Sequence, residues 1–170
     1  MKKRNILKWI IFGVALATNL FILANSFVNG DASTAESSAI TNTAAGAINS
    51  ISPGTVTNNN IDSFVVLIRK LFGHFGLFGI SGVFTTWTFY LFCKNTKFNY
   101  FIHFGLLSLL AGFGFAWLSE FIQLFMPGRS GSVNDVLINF LGYFIGDLLV
   151  IFILFLAKKP IFQKQIQLEK

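Results

Sequence analysis

Four stretches of this chain, 6–27, 71–93, 100–125 and 136–157, stay apolar for close to the length a helix needs to cross a bilayer, which is roughly 18 to 20 residues. Within hydrocarbon a backbone has only itself to bond to, so each stretch must be a helix. Composition agrees: 54% of the residues are hydrophobic and 12% charged, where a soluble domain carries roughly 25% charged residues. The 22 Phe residues exceed what a soluble core of this size needs and suit surfaces that face acyl chains. The expected fold is all-α: an integral, multi-pass membrane bundle of about four transmembrane helices.

The basic residues sit at alternate ends of the apolar runs. Lys2, Lys3, Arg4 and Lys8 precede or begin the first, Lys94 and Lys97 link the second to the third, and Lys158, Lys159, Lys164 and Lys170 follow the fourth. The opposite side holds only Arg69, Lys70 and Arg129, together with Asp31, Glu36, Asp62, Glu120 and Asp135. That bias places both termini in the cytoplasm and the acidic face outside. A pI near 9.7 does not point to nucleic acid, because the charges form no basic face with interleaved aromatics. The lone Cys93 cannot form an internal disulfide and reads as a small apolar filler. Residues 1–28 are expected to be a first transmembrane helix, retained as an anchor. The competing reading is a signal peptide cleaved near Ala24-Asn25-Ser26, but the apolar stretch is longer than a signal core.

Residues 29–62 are rich in Ser, Thr and Asn and form an extracytoplasmic loop with a short helix expected around Thr34 to Ile51. A solvated connector and a binding segment are both open there. Residues 63–157 form a three-helix core and 158–170 a basic cytoplasmic tail. Gly73, Gly76, Gly79 and Gly82 recur every three residues and read as a helix-packing stripe. On the last run, Asp135, Asn139, Gly142 and Gly146 share one helical face. Asp147 falls about 18 Å below Asp135 at the rise of a helix. It reads either as a hydrogen-bonded carboxyl between helices or as a functional one.

Charged and amide side chains at the edge of a hydrocarbon layer are costly, so their clustering is informative. Three runs deliver Arg69, Lys70, His74, Glu120, Gln123, Arg129, Asp135 and Asn139 to one membrane face. Lys70 and His74, four apart, share a helical face, as do Glu120 and Gln123, three apart. Pro127-Gly128 must end the third helix. Ser132 or Asn134 can cap the next, with Asp135 in its first turn. One reading is a self-neutralising rim, Glu120 pairing with Arg129 and Asp135 with Arg69. The other is a pocket for an anionic headgroup, since Arg forks suit phosphate or carboxylate and His74 adds a titratable donor.

The block Glu120-Phe121-Ile122-Gln123-Leu124-Phe125-Met126-Pro127-Gly128-Arg129, followed by Asp135, Asn139 and Gly142, resembles the signature of the VanZ-like membrane proteins. Arg69-Lys70 with His74-Phe75 resembles that family's other hallmark, and Asn25-Ser26 with Ser33 and Ser37 is similar to its Ser-rich exit from the first span. The family often has Asp before the Glu and His before the Gln, where this chain has Ser119 and Ile122. The resemblance implies a small integral protein of the bacterial cell membrane, in a family whose founding member lowers susceptibility to the glycopeptide teicoplanin.

Three functions follow as expectations. The favoured one is a non-enzymatic module whose outer rim binds an anionic envelope component, such as a membrane lipid or cell-envelope precursor, or a partner membrane protein. The second is an intramembrane enzyme acting on a phosphate-bearing lipid, with Glu120 or His74 as acid or base. No Ser or Cys is placed beside His74 by spacing, so no nucleophile can be named. The third is a small transporter subunit built around Asp147. His74, Glu120 and Asp135 are competent metal ligands without any local ligand spacing, so no metal and no cofactor are expected.

Overall fold

Polar side chains share the inside of this molecule with apolar ones such as Ile22, Phe78 and Tyr143, and apolar side chains cover it. Asn19, Ser81, Thr86, Ser108, Asn139 and Asp147 are buried, while Phe21, Leu110, Trp117, Phe121 and Phe152 are exposed. A soluble domain would be arranged the other way round. A computed structural model describes residues 2–93 and 100–157, with side chains over 6–93 and 104–157. Lys94, Lys97, Lys158, Lys159, Lys164 and Lys170 lie outside the described residues, as do the side chains of Lys2, Lys3 and Arg4.

Among the described residues every regular element is helical: α1 (Lys2–Ser26), α2 (Gly30–Ile51), α3 (Ile61–Ile68), a π-helical segment (Arg69–Gly76), α4 (Leu77–Phe92), α5 (Tyr100–Gln123) and α6 (Val133–Ala157). Four continuous helical stretches are long and apolar enough to cross a membrane: Ile6–Ser26, Ile61–Phe92, Phe104–Gln123 and Val133–Ala157. The second is the longest because α3, the π segment and α4 run on without a break. From Leu71 to Phe92 it rises about 33 Å, close to the thickness of a bilayer core. A span counted from Leu71 would leave Arg69 and Lys70 at the edge of the hydrocarbon and α3 beyond it.

The segment expected to be a loop with a short helix contains a helix of 22 residues instead. It begins four residues before Thr34, because the Asn29 side chain accepts a hydrogen bond from Ala32 N at 2.9 Å and Asp31 favours the helix's positive end. Its backbone packs mainly on α3.

α4 is the hub, in contact with α1, α5 and α6. Its seam with α6 is built on missing side chains. A Cβ on Gly82 would fall on the Tyr143 backbone, one on Gly142 on the Phe75 carbonyl, and one on Gly146 on the Gly79 carbonyl. Small residues permit this approach where lipid gives no hydrophobic drive to associate. The expected glycine stripe is thus half right. Gly79 and Gly82 enter the seam, whereas a Cβ on Gly73 would meet only its own segment's Arg69 side chain, at 3.8 Å. The wider π turn takes Gly73 out of the three-residue register.

Two polar ties cross the bundle's middle. Asn19 Oδ1 accepts from Ser81 Oγ at 2.8 Å and Asn19 Nδ2 donates to Thr85 Oγ1 at 3.1 Å, clasping α1 to α4. Asp147 Oδ1 accepts from Thr86 Oγ1 at 2.5 Å, and Thr86 and Tyr143 each bond Ser108, joining α4, α5 and α6.

Candidate functional site at one end of the bundle

The end of α1, the π segment, the end of α5 and the start of α6 meet at one end of the bundle, and they bring all eight rim residues with them. α5 unwinds after Gln123 through a series of tight turns to Pro127-Gly128. Gly128 takes φ +69, a left-handed conformation that glycine adopts without strain. The turn then receives α2: Gly30 N donates to Pro127 O at 2.8 Å, and a Cβ on Gly30 would overlap the Gly128 carbonyl.

Glu120 is the buried centre, 3% exposed. It accepts from Asn139 Nδ2 at 3.0 Å, Gln123 Nε2 at 3.2 Å and Ser132 N at 3.3 Å. A carboxylate draws donors, so Asn139 must turn its amino group to Glu120 and its Oδ1 away. That Oδ1 lies 3.0 Å from His74 Nδ1, so Nδ1 carries the proton and Nε2 is left as the acceptor. His74 Nδ1 is also 3.6 Å from Glu120 Oε1. The imidazole and the carboxylate, 46 residues apart by their numbering, thus share one small polar cluster.

The pairings within the rim differ from those expected. Glu120 reaches Arg129 through Gln123, whose Oε1 accepts from Arg129 Nη2 at 2.9 Å. Arg129 Nη1 donates instead to the carbonyls of Asn25 at 3.0 Å and Val28 at 3.2 Å. The left-handed turn at Gly128 aims the guanidinium at the carbonyl end of α1, where a cation is favoured. Asp135 pairs with Lys70 at 3.1 Å, not with Arg69. An i→i+5 turn brings residues five apart to one side of the chain, so Arg69 and His74 face together and Lys70 is turned to α6.

Arg69, His74, Gln123 and Arg129 line a cavity of about 660 Å³. Glu120, Asn139 and the Lys70–Asp135 pair stand outside its lining. Asn25 and Ser26 of α1 and Ser33, Glu36 and Ser37 of α2 complete its polar part, matching the Ser-rich exit noted in the sequence. Its remaining wall includes Phe21, Ile22, Ile40, Ile68, Phe72, Leu77 and Phe78. Two guanidiniums stand near each other in its lining. Arg69 Nε is buried with no hydrogen-bond partner, a rare state for a donor. Burial, then the nearby Arg69 charge, push the Arg129 guanidinium below its ordinary value, with Glu120 opposing.

No group of three or more metal-ligating side chains occurs among the described residues. The acceptor carbonyls of Asn25 and Val28 and the Ser132 N–H were not legible in the sequence as site atoms, since backbone groups carry no sequence signal.

No curated protein and no solved structure matches the chain significantly. The family model described as VanZ/LLP1 matches residues 6–156. With that match covering nearly the whole chain, this multi-pass helical protein belongs to the VanZ/LLP1 family.

Proposed function

We propose that the protein is a non-enzymatic membrane module that binds an anionic group, phosphate or carboxylate, in the cavity at its rim. The observation that carries this reading is the buried, unpartnered Arg69 Nε in a cavity that Arg129 also lines. The lining sets two guanidiniums against one carboxylate, that of Glu36 exposed at the edge, while Glu120, outside the lining, is already occupied by its own donors. Such a set suits the planar, bidentate recognition of an oxyanion. The cavity's size falls within the range of small-molecule sites, about 300–1,000 Å³.

An enzymatic reading finds less support. The hydroxyls of Ser26 and Ser37 donate to the carbonyls of Ile22 and Ser33, one turn back in their own helices, rather than to His74. They are not set as nucleophiles beside a base.

The proposal also takes the site to face out of a bacterial cell membrane, which the charge bias of the loops supports, and, by the family resemblance, to bear on glycopeptide susceptibility. The test is thermal unfolding of the purified protein in neutral detergent, with phosphate-bearing and zwitterionic compounds compared. Stabilisation by the anionic compounds that disappears in Arg69→Gln is expected. Indifference of the wild type to every anionic compound would remove the reading. Teicoplanin susceptibility of cells expressing wild type or Arg69→Gln then asks whether that site is the one that matters in the cell.

A further inference from the structure

The cavity is larger than any small oxyanion requires and most of its lining is not polar. At about 30 Å³ per water, its 660 Å³ equals the share of about 20 waters. A phosphate held by Arg69 and Arg129 would leave most of that volume against aromatic and aliphatic side chains, where water is a poor occupant.

The cavity also has a shape. The Asn19–Ser81–Thr85 clasp joins α1 to α4, and Phe21, Ile22, Leu77 and Phe78 of the same two helices line the cavity. Above that clasp α1 continues along the bundle, yet its backbone makes little or no contact with the π segment. Phe21 on α1 and Phe72 on the π segment both line the cavity. Both are more than half exposed, at 54% and 58%, on helices that span the membrane. They therefore face acyl chains. Gly73, next to Phe72, contributes no side chain to the wall, and nothing nearer than Arg69 Cγ at 3.8 Å would meet a Cβ there. α2 covers the cavity from outside through Ser33, Ser37 and Ile40, with Glu36 exposed at its edge. The polar groups lie at the bundle's end and the apolar ones extend inward from them.

We infer that the occupant is a phosphate-bearing lipid that enters sideways from the membrane between α1 and the π segment, its phosphate between Arg69 and Arg129 and the start of its chain against Phe21, Ile22, Phe72 and Leu77. This rests on the anion-binding reading and adds to it the class of ligand and the route of entry. Charge complementarity selects the phosphate; the apolar lining facing the lipid selects the chain. A water-soluble anion would use the first feature and ignore the second.

The test reconstitutes the full chain in phosphatidylcholine nanodiscs containing a small fraction of phosphatidic acid with a diazirine high on its acyl chain. Illumination followed by peptide mass spectrometry should place the label on residues near Phe21 and Phe72. Excess unlabelled phosphatidic acid should compete it away, and soluble glycerol 3-phosphate should not. Gly73→Leu, which fills the wall without touching the arginines, should lose most of the label while keeping the wild-type melting temperature. Gly73→Ala, for which there is room, controls for folding and should keep it. Label spread evenly over lipid-facing positions such as Phe152 and Phe155, with no competition, would overturn the lipid assignment. Competition by glycerol 3-phosphate as effective as by the lipid would overturn it too, while leaving the anion site in place. Stabilisation by soluble anions that Arg69→Gln abolishes, with no specific lipid label, separates the two failures.

Discussion

Arg129 donates to the backbone carbonyl of Asn25 at 3.0 Å across 104 positions of sequence. The turn after α5 is thereby fastened to the end of α1, and the same guanidinium bonds Val28 O and Gln123 Oε1. Three acceptors in different directions need a planar fork. A lysine ammonium has the charge but not the reach or the geometry.

Arg129→Lys should therefore lower stability by about 1.5–3 kcal/mol, the worth of bonds from a charged donor. Reversible unfolding in detergent or chemical denaturant measures this. A variant as stable as wild type would show that the fastening of α1 is incidental.

Asn139 is the hinge of the buried cluster, donating to Glu120 and accepting from His74. Asn139→Leu matches its bulk but strips both partners. Glu120 and His74 then each lose a bond inside the protein, at a cost of about 1–3 kcal/mol. Asn139→Asp should be worse than Leu, because it sets a second carboxyl within about 3 Å of Glu120. Thermal unfolding of both variants checks the order.

The helical architecture and the assembly of eight polar residues at one end were legible in the chain, and for the same reason. Runs without charge must span, and the few charges between Gln123 and Asp135 have nowhere to go but the rim. What could not be read was which charge meets which. Lys70–His74 spacing presumes 3.6 residues per turn, and the π segment at Arg69–Gly76 breaks that presumption over the stretch that matters. Glu120 and Arg129 looked like partners on charge alone, but the direction of Arg129 is set by the φ of Gly128. α2 was under-read because Ser, Thr and Asn favour turns intrinsically, and one capping bond at Asn29 tips the balance.

The glycines make a clean contrast. Gly82→Ala must push α4 off the Tyr143 backbone of α6, and forcing a packed seam apart costs about 1–3 kcal/mol. Gly13→Ala and Gly114→Ala, on helices where a Cβ meets nothing within 4 Å, should instead be neutral or gain about 0.5–1 kcal/mol. Melting temperatures of the three variants, purified identically, test the seam directly.

The proposed orientation, argued from the loop-charge bias, has the rim outside the cell. Ser130 is exposed beside Arg129, so Ser130→Cys in a Cys93→Ala background should react with a membrane-impermeant maleimide in intact cells. Labelling only after the membrane is opened would invert the topology and move the proposed ligand to the cytoplasmic leaflet.

Asp147 is where a structural and a transport role part. Thr86 gives its single proton to Asp147 Oδ1, so Ser108 must donate to Thr86 and Tyr143 to Ser108. The hydrogen bonds run one way along Tyr143, Ser108 and Thr86 and end on the carboxyl, whose other oxygen has no partner. A tie of this kind needs an acceptor at Oδ1 and nothing more. Asp147→Asn keeps that acceptor and the volume, so it should retain both stability and any cellular phenotype. Asp147→Leu strands the hydroxyl at the end of the chain and should cost about 1–3 kcal/mol. A proton or ion pathway demands the reverse pattern, because asparagine cannot titrate. A well-folded Asp147→Asn protein that has lost its phenotype would shift the working site from the rim to the middle of the membrane.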